Sequence, residues 1–422
     1  MTEKHRWWVG IDWETADHQV CVLDASGGEV TQRVVAHTAV AVRGFVDWLR
    51  VHVGGDLATA AVGIETPRGA LVATLMEQGL AVYAVNPKQL DRFRDRHTVA
   101  GAKDDRRDAW VLADSLRTDA GAFHRVEVDD PILVQLRELV HVEETLQIDV
   151  GRLTNRLRDQ VHRIQPALLA LCPAADAPWF WTLWEQAPTL VAQRELSPEV
   201  IGALLRARHI RRVTAAQVHA ALQTPALTTA PGVVAATEAH IALLVPHLRL
   251  VVAQRAACVK RTEALLGELA TRDDAEGERK EHRDVQILRS LPGVGRQVAA
   301  TMLAEASRPL RARDYHTLRL YVGIAPVSKW SGKRRLRPTV HMRRACNRRL
   351  RRAAYHWGRV SLVNDGPTRA YYDELRGRGH THGRALRSVI DRWFRILIAM
   401  LRTGTLYDPS HVSRRQMVET PG

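Results

Sequence analysis

The chain has 422 residues, 45% of them hydrophobic, which is enough for two or three domains with buried cores. Its 61 Lys and Arg residues outnumber 46 Asp and Glu residues, and the net charge of +15 favours a nucleic-acid partner over a merely basic, solubilising surface. Four widely separated cysteines exclude a disulfide framework and a cysteine-based zinc module, and no apolar run reaches the roughly 18 residues of a membrane span, so we expect a soluble, intracellular protein without a membrane partner.

The first 125 residues alternate short apolar strands with helical segments. The predicted strands are Trp7–Asp12, Gln19–Leu23, Glu29–Val35, Ala60–Glu65 and Ala81–Val85. The first three form an antiparallel ribbon, because a turn rich in glycine and polar residues precedes Glu29. A helix is predicted over Gly69–Gln78, ending at Gly79. The alternation predicts an α/β domain with a mixed sheet covered by helices.

From Pro131 to Pro166, apolar residues recur at spacings of three, four or seven, and Glu143 interrupts the stripe. A second stripe runs from Leu244 to Leu269 and is weak in its middle, at Arg255 and Thr262. The Ala-, Pro- and Leu-rich residues between the two stripes, 167–235, predict short helices. Two long helices with an insertion indicate an antiparallel coiled-coil arm or a dimerisation stalk, and two core helices of one bundle fit the periodicity equally well.

The charged residues 272–284 predict an exposed boundary. Beyond them, Pro292–Gly295 forms a turn before an alanine-rich helix, as in helix-hairpin-helix DNA binders, although an ordinary tight turn has the same composition. The predicted division is an α/β domain, a helical arm, a basic C-terminal helical domain, and a last helix with a tail, over residues 1–125, 126–284, 285–375 and 376–422.

The basic charge is concentrated in one segment. Between Arg308 and Arg352 there are fifteen Lys or Arg residues and one acid, Asp314, so these 45 residues carry +14. Arginine suits phosphate through its planar fork of donors, so this segment is the predicted nucleic-acid surface. Its affinity for nucleic acid should fall steeply with salt.

Acidic residues mark the ends of two predicted strands, at Asp12 and Glu65, and the start of a helix, at Asp104, Asp105 and Asp108. Asp105 and Asp108 share a helix face at spacing i, i+3, and Asp104 with Asp108 fits almost as well. Clustered carboxylates bind Mg²⁺ or Mn²⁺, and two such ions support phosphoryl transfer. Each acid alone could equally be a turn residue, a helix cap or a solvated partner of an arginine. The first strand also resembles that of actin-like ATP-binding domains, but the glycine-rich phosphate loops they need are absent from the sequence.

Five motifs together resemble the DEDD-type transposases of the insertion-sequence family "one-ten", relatives of the Piv invertases. They are GIDWE, GIETP, AKDDRRDA, LPGVG and YVGIAPVSKWSGKRR. The resemblance implies a ribonuclease H/RuvC-like N-terminal domain in which Asp12, Glu65, Asp105 and Asp108 are catalytic and bind Mg²⁺ or Mn²⁺. Asp104 stands where the family usually has threonine, so it competes with Asp105 for the third position, and the motif register favours Asp105.

The resemblance also implies a nucleophilic serine in the C-terminal transposase domain. Gly323–Pro326 followed by Ser331-Gly332 matches the family pattern, which assigns the role to Ser331 with Ser328 as the second candidate. No histidine or acid stands within VSKWSGKRR, so the distant carboxylates and their metal would have to activate the serine. The residues expected to contact nucleic acid are Lys329, Trp330, Lys333, Arg334, Arg335, Arg337, Arg343, Arg344, Arg348 and Arg349. Asn347 is assigned a supporting role.

The function implied is that of a DNA transposase or recombinase, which cuts through a covalent phosphoserine link that a 3′-hydroxyl later resolves. The resemblance further implies donor and target DNA, a noncoding bridge RNA as guide, assembly as dimers or tetramers, and a bacterial cytoplasm with association to the nucleoid. Two alternatives stay open at this stage. One is a RuvC-like nuclease whose carboxylates activate water, and the other is a non-catalytic nucleic-acid-binding scaffold.

Overall fold

The computed structural model divides the chain into two compact units, Met1–Asp129 and Asp130–Gly422. It describes residues 5–67, 69–97, 104–127, 130–225, 230, 232–271, 281–329 and 339–409. Within these ranges the N-terminal unit combines one sheet with helices, and the C-terminal unit is mostly helical. The predicted α/β domain followed by helical segments is confirmed at this level.

The N-terminal unit is built on a six-stranded mixed sheet with the order β3-β2-β1-β4-β5-β6. Its strands are β1 Trp7–Trp13, β2 Asp17–Leu23, β3 Glu29–Ala36, β4 Ala60–Ile64, β5 Ala81–Ala84 and β6 His124–Arg125. Its helices are α1 Ala39–His52, α2 Ala70–Glu77, α3 Pro87–His97 and α4 Asp105–Asp119. Strands β1, β4 and β5 pair in parallel, and the other neighbours pair antiparallel. The predicted ribbon of three antiparallel strands is confirmed, whereas α1 and β6 have no counterpart in the sequence-based prediction.

Helix α4 lies directly on β1, because β1 has a glycine at the contact. A Cβ atom on Gly10 would stand 1.8 Å from the carbonyl oxygen of Ala109, so no larger residue fits there without moving the helix. Gly63 on β4 allows a looser approach, with a Cβ 3.1 Å from the oxygen of Leu112. The other sheet face is covered by α1 and α2, which bury side chains such as Phe45 and Leu75.

The C-terminal unit begins with two long antiparallel helices. They are α5, Pro131–Ile164, and α11, Val233–Thr271. Cys258 lies 3.3 Å from the carbonyl oxygen of Leu139, and Arg261 donates to Gln135 at 3.2 Å, so the residue numbers run in opposite directions along the contact. A helix of 39 residues is about 58 Å long at 1.5 Å per residue. The predicted antiparallel pair therefore forms within one chain.

The polar residues that interrupt the two apolar stripes meet each other. Glu143 of α5 is 1% exposed, and Arg255 of α11 lies 3.7 Å from its carboxylate. Arg296 completes the group with two hydrogen bonds of 2.7 and 2.8 Å to the same carboxylate. Thr262, the other weak position, is fully buried and donates to the oxygen of Cys258 in its own helix. The polar residues within the two apolar stripes are therefore paired or hydrogen-bonded, and the stripes stay buried on both sides of them.

Five short helices fill the insertion between α5 and α11, which confirms the prediction for this region. They are α6 Ala167–Leu171, α7 Pro178–Gln186, α8 Leu190–Arg194, α9 Pro198–Ala207 and α10 Ala215–Gln223. Their core includes Trp179 and Trp184 and packs on the second half of α5 and the first half of α11. The insertion thus forms a small globular body around one end of the helix pair.

The opposite end of the helix pair packs into the C-terminal helices. These elements are α12 Glu281–Ser290, α13 Arg296–Glu305, α14 Ser307–Arg311, α15 Tyr315–Val322, β7 Pro326–Lys329, β8 Thr339–Met342, α16 Arg348–Asn364, α17 Gly366–Gly377 and α18 His382–Thr403. The glycine turn between α12 and α13 contacts α16, since the indole of Trp357 donates to the oxygen of Pro292 at 3.0 Å. A Cβ on Gly293 would stand 2.9 Å from the amide nitrogen of Ser361. One face of this turn is therefore part of the core.

We predict that Gly10→Ala unfolds or displaces α4, because the methyl group would overlap a backbone carbonyl that cannot rotate away. The free energy of unfolding should fall by about 3 kcal/mol, at the upper end of the usual cost of overpacking. Chemical denaturation of the full chain measures this loss. The matched control is Gly63→Ala, which meets the same helix at 3.1 Å and should cost clearly less. Equal losses for the two variants would contradict the close contact at Gly10.

Candidate metal centre

Strand pairing brings two of the predicted acids to the same edge of the sheet. Ile11 of β1 pairs with Ile64 of β4 in parallel register. Asp12 and Glu65 follow these partners directly, so Asp12 is the last residue but one of β1 and Glu65 comes directly after β4, at the same edge of the sheet. This edge is the usual location of sites in open sheets with parallel strands.

Three carboxylates converge at this edge. Asp12, Asp105 and Asp108 each offer one oxygen, and the three oxygens lie within 4.8 Å of one another. Asp12 is 8% exposed and Asp108 is 1% exposed, whereas Asp105 is the most exposed of the three. Carboxylates this close and this buried repel one another unless a cation joins them. Three hard oxygen donors fit Mg²⁺ or Mn²⁺. We call Asp12, Asp105 and Asp108 the acid cluster.

Asp104 has a different role from its neighbour. Its side chain accepts a hydrogen bond of 3.1 Å from the backbone N–H of Arg106, which makes Asp104 the N-cap of α4. Because the N-cap side chain folds back over the first turn, the following residue is the one that faces the sheet edge. The structure therefore includes Asp105 in the acid cluster and uses Asp104 to start the helix.

Glu65 lies beside the acid cluster but outside the group of three. Glu65 is half-buried and comes directly after β4. Its negative charge acts on Arg94, whose pKa it helps to raise. Three of the four predicted acids thus converge closely, and the fourth belongs to the same electrostatic neighbourhood.

Arg94 of α3 is a partner of the acid cluster that the sequence-based prediction missed. Its Nε and Nη2 atoms donate to the two oxygens of Asp108, each at 2.6 Å. Burial alone would lower the pKa of Arg94, but the hydrogen bond and charge of Asp108, with Asp91 and Glu65, raise it overall. Arg94 is fourteen residues from Asp108, and no local spacing rule links the two positions.

The predicted nucleophile and its neighbours lie outside the described residues. This applies to Trp330, Ser331, Lys333, Arg334, Arg335 and Arg337. The residues on either side belong to β7 and β8, which pair antiparallel from Pro326 with Met342 to Lys329 with Thr339. Ser328, the second candidate nucleophile, is an exposed residue of β7 opposite Val340. The chain enters and leaves the serine segment through this hairpin.

The predicted phosphate-binding arginines differ in their surroundings. Arg344 and Arg348 are exposed, and Arg343 donates to the oxygen of Ala345 at 2.9 Å. Arg349 donates to Glu144 of α5 at 2.6 Å, and Arg352 binds the same carboxylate. Glu144 therefore occupies the guanidinium of Arg349, one of the arginines predicted to contact nucleic acid. No local sequence pattern indicates this ion pair, because Glu144 and Arg349 are more than two hundred residues apart.

The turn before the hairpin has a steric reason for its glycine. Gly323 ends α15 with a φ of 72°, and a Cβ there would stand 2.8 Å from the Cβ of Cys346. Asn347 caps α16 by accepting from the N–H of Leu350 at 3.0 Å, and its amide donates to Glu305. The supporting role expected of Asn347 is thus a structural one, at the base of the hairpin.

Two family models match this sequence. Residues 9–166 match the DEDD-type model of IS110, described as a transposase, and residues 285–373 match a model described as the IS116/IS110/IS902 transposase family. Together they cover more than half of the chain. The first match contains all four predicted acids, and the second contains Ser331 and the basic segment.

Similar proteins come from several bacteria, and two of the three described here are named after insertion sequences. A Sinorhizobium fredii protein named as a candidate transposase, y4uE, is 41% identical over 218 residues, which are 51% of this chain and 60% of the relative. The candidate transposase of mini-circle IS117 from Streptomyces coelicolor is 28% identical over 416 residues, or 94% of each chain. The uncharacterized 42 kDa protein of insertion element IS900 from Mycobacterium paratuberculosis is 27% identical over 411 residues, or 96% of this chain and 97% of the relative. The chain belongs to the IS110/IS116/IS902 family of transposases.

Proposed function

We propose that this transposase cuts and rejoins DNA with a ribonuclease H/RuvC-like metal centre and a serine nucleophile. The observation that carries the proposal is the convergence of Asp12, Asp105 and Asp108 within 4.8 Å at the sheet edge. Glu65, at the end of the neighbouring strand, is the fourth member. A sheet that opens with three antiparallel strands and continues in parallel through β4 and β5 supports the ribonuclease H-like assignment.

In this proposal the four acids hold Mg²⁺ or Mn²⁺, which supplies positive charge for the reacting phosphate. The protein's own contribution is to fix the carboxylates. Asp12 is held by pairing of β1 on both sides, and Asp105 and Asp108 by the contact of α4 with Gly10. Burial of Asp12 and Asp108 limits competition from water for their oxygens.

Ser331 performs the nucleophilic step in the proposed mechanism. Its Oγ attacks the phosphorus of a phosphodiester, and a new P–Oγ bond forms as the bond to the DNA 3′-oxygen breaks. The serine loses its proton, and the leaving oxygen gains one and becomes a free 3′-hydroxyl. The DNA strand stays attached through phosphoserine until another 3′-hydroxyl attacks and releases Ser331. This assignment rests on the family pattern Gly323–Pro326 followed by Ser331-Gly332.

The partners proposed are donor and target DNA, with a noncoding bridge RNA as guide. Support for a polyanionic partner comes from the charge of +14 over residues 308–352. A cleft of about 310 Å³ between α5, α13 and α16 is lined by Glu144, Arg349 and Arg352. A phosphate that enters it would replace the carboxylate of Glu144 on the two arginines. The RNA partner rests on the family resemblance, and the same surface would suit either nucleic acid.

A second copy of the chain is also a proposed partner. Helix α11 has an exposed stripe whose spacing of four and three residues is that of a coiled-coil seam. The stripe consists of Ala239, Leu243, Pro246, Leu250, Ala253 and Ala257. Leu243 is 74% exposed and Leu250 is 56% exposed, although the opposite side of α11 packs on α5. By length and composition alone, α11 could also cross a membrane. The heptad spacing of its exposed, uncharged stripe favours a partner helix instead.

We expect Asp105→Asn to abolish both divalent-ion binding and DNA cleavage, because it removes one of the negative charges that hold the ion. Isothermal titration of the full chain with Mn²⁺ measures the first effect, and cleavage of an end-labelled DNA substrate measures the second. Asp104→Asn is the matched control. Asparagine caps helices about as well as aspartate, so stability, Mn²⁺ affinity and cleavage should all be nearly unchanged. Loss of Mn²⁺ binding in the control but not in Asp105→Asn would transfer the ligand role to Asp104.

Ser331→Ala should eliminate the covalent protein–DNA species while DNA binding persists, because only the attacking oxygen is removed. Denaturing gels of boiled reactions with labelled DNA detect the species, and Ser328→Ala serves as the control that should retain it. A species that survives Ser331→Ala and disappears in Ser328→Ala would reassign the nucleophile. Metal-dependent cleavage without any covalent species would favour a nuclease that activates water. Binding without cleavage under any condition would favour a scaffold.

Replacing both exposed leucines, as Leu243→Glu with Leu250→Glu, should dissociate the proposed dimer without unfolding the chain. The two carboxylates of one helix would face those of its partner across the seam and repel them. Each substitution would also remove about 2 kcal/mol of free energy that burial of the leucine side chain contributes. Light scattering coupled to size exclusion measures the mass. Val363→Glu is the control, since Val363 is 84% exposed at the end of α16, away from the stripe. A dimer that persists in the double variant would exclude this stripe as the interface.

A further inference from the structure

The pairing of Arg94 with Asp108 places a guanidinium on an acid that the proposed metal centre also uses. Both oxygens of Asp108 accept from Arg94 at 2.6 Å, through Nε and Nη2. Asp108 is 1% exposed, so water contributes little to its solvation. The same carboxylate supplies an oxygen to the acid cluster with Asp12 and Asp105. Arg94 is therefore a built-in cation at the edge of the cluster.

A buried carboxylate needs such a cation when it has no metal ion. Leaving one partner of a buried ion pair uncompensated is strongly destabilising, and two further acids nearby increase the repulsion. The forked geometry of Arg94 fixes the plane of the Asp108 carboxylate as well as its charge. The side chain thereby holds Asp108 in position before any ion binds.

The same contact opposes metal binding. The fork of Arg94 faces both oxygens of Asp108, and it thereby occupies the side from which an ion would bind through both oxygens at once. A divalent cation at the cluster also repels the guanidinium. We propose that Arg94 is a positioning residue that stands in for the metal at Asp108, lowers the affinity of the acid cluster for divalent cations, and yields Asp108 when the ion binds. This rests on the metal centre of the proposed function.

Arg94 has a second partner ready on its own helix. Its Nη1 donates to Asp91 at 3.0 Å, one turn earlier, and the Asp91 side chain is 64% exposed. An arginine released from Asp108 would therefore keep an ion pair, in a solvated position where exposed pairs cost little to rearrange. An arginine side chain stays protonated at any pH at which the protein is folded, so Arg94 remains charged in both positions. The exchange thus requires a rotation of the side chain and no loss of charge.

The test compares Mn²⁺ affinity of the full chain with that of Arg94→Gln, by titration calorimetry and by the electron paramagnetic resonance of free Mn²⁺. Removing the competing charge should tighten binding about tenfold, the effect of a partly screened charge a few ångströms away. Arg94→Lys keeps the charge and loses the fork, so its affinity should lie between the other two. Without metal, Arg94→Gln should melt at a lower temperature than the parent, and Mn²⁺ should raise that temperature more than it does for the parent.

A matched control exists on α4, the helix that carries Asp108. Arg117 donates to Asp114 at 2.7 Å, and Asp114 is a buried acid of α4 outside the acid cluster. Arg117→Gln should therefore lower stability but leave Mn²⁺ affinity unchanged. Equal tightening in Arg117→Gln would indicate a general charge effect and overturn the specific role of Arg94.

The two levels of the proposal fail differently. If the parent chain binds no Mn²⁺, or if Asp12→Asn binds Mn²⁺ as well as the parent does, the proposed metal centre itself is wrong. If the parent binds Mn²⁺ and Arg94→Gln binds it equally or more weakly, the metal centre stands and the competition by Arg94 is refuted. Should Arg94→Gln fail to fold without metal, recovery of folding by Mn²⁺ supports the proposal, and Arg94→Lys with parental affinity contradicts it.

Discussion

The approach of α4 to β1 at Gly10 is the contact on which the N-terminal unit depends. With Ala109 oxygen 1.8 Å from the place a Cβ would occupy, the helix backbone rests on the strand backbone itself. This brings Asp105 and Asp108 to the level of Asp12, two residues farther along the strand. Side chains between helix and sheet would hold α4 farther from β1 and would separate Asp105 and Asp108 from Asp12. The acid cluster thus depends on the absence of a side chain at Gly10 and on the register of α4 against β1.

In the C-terminal unit the corresponding constraint is electrostatic. Glu143 pairs with Arg255 across the helix pair and with Arg296 at the start of α13. A hydrophobic residue at this position would pack well and leave several registers of α5 against α11 similarly favourable. The buried ion pair favours one register, because a slip of either helix would leave Glu143 uncompensated. The register in turn fixes α13, and through Glu305 and Asn347 the start of α16 beside the hairpin.

Local patterns predicted a large part of this architecture. The strand spacing, the glycine turn of Pro292–Gly295 and the two long apolar stripes follow rules that act within ten residues, and these elements are present. Helix α1 was not predicted because exposed valines such as Val40 stand among its buried apolar residues and obscure the helical spacing. Strand β6 was not predicted because a strand of two residues is too short to show a pattern. The three acids of the cluster were predicted from motif order, but the partners of those acids were not. Arg94 and Glu144 reach their partners across 14 and 205 residues, and only tertiary structure fixes such pairs.

The two most deeply buried acids, Glu143 and Asp108, illustrate how structure separates support from chemistry. Each is 1% exposed and each accepts a forked arginine. Glu143 is paired with two arginines, Arg255 and Arg296, which compensate its charge without a further cation. Asp108 is paired with Arg94 and also supplies an oxygen that lies within 4.8 Å of oxygens of Asp12 and Asp105. A divalent cation would join these three carboxylates, whereas Glu143 belongs to no such group among the described residues. The convergence of several carboxylates, rather than burial or hydrogen bonding, therefore distinguishes the proposed metal centre from a structural ion pair in this fold.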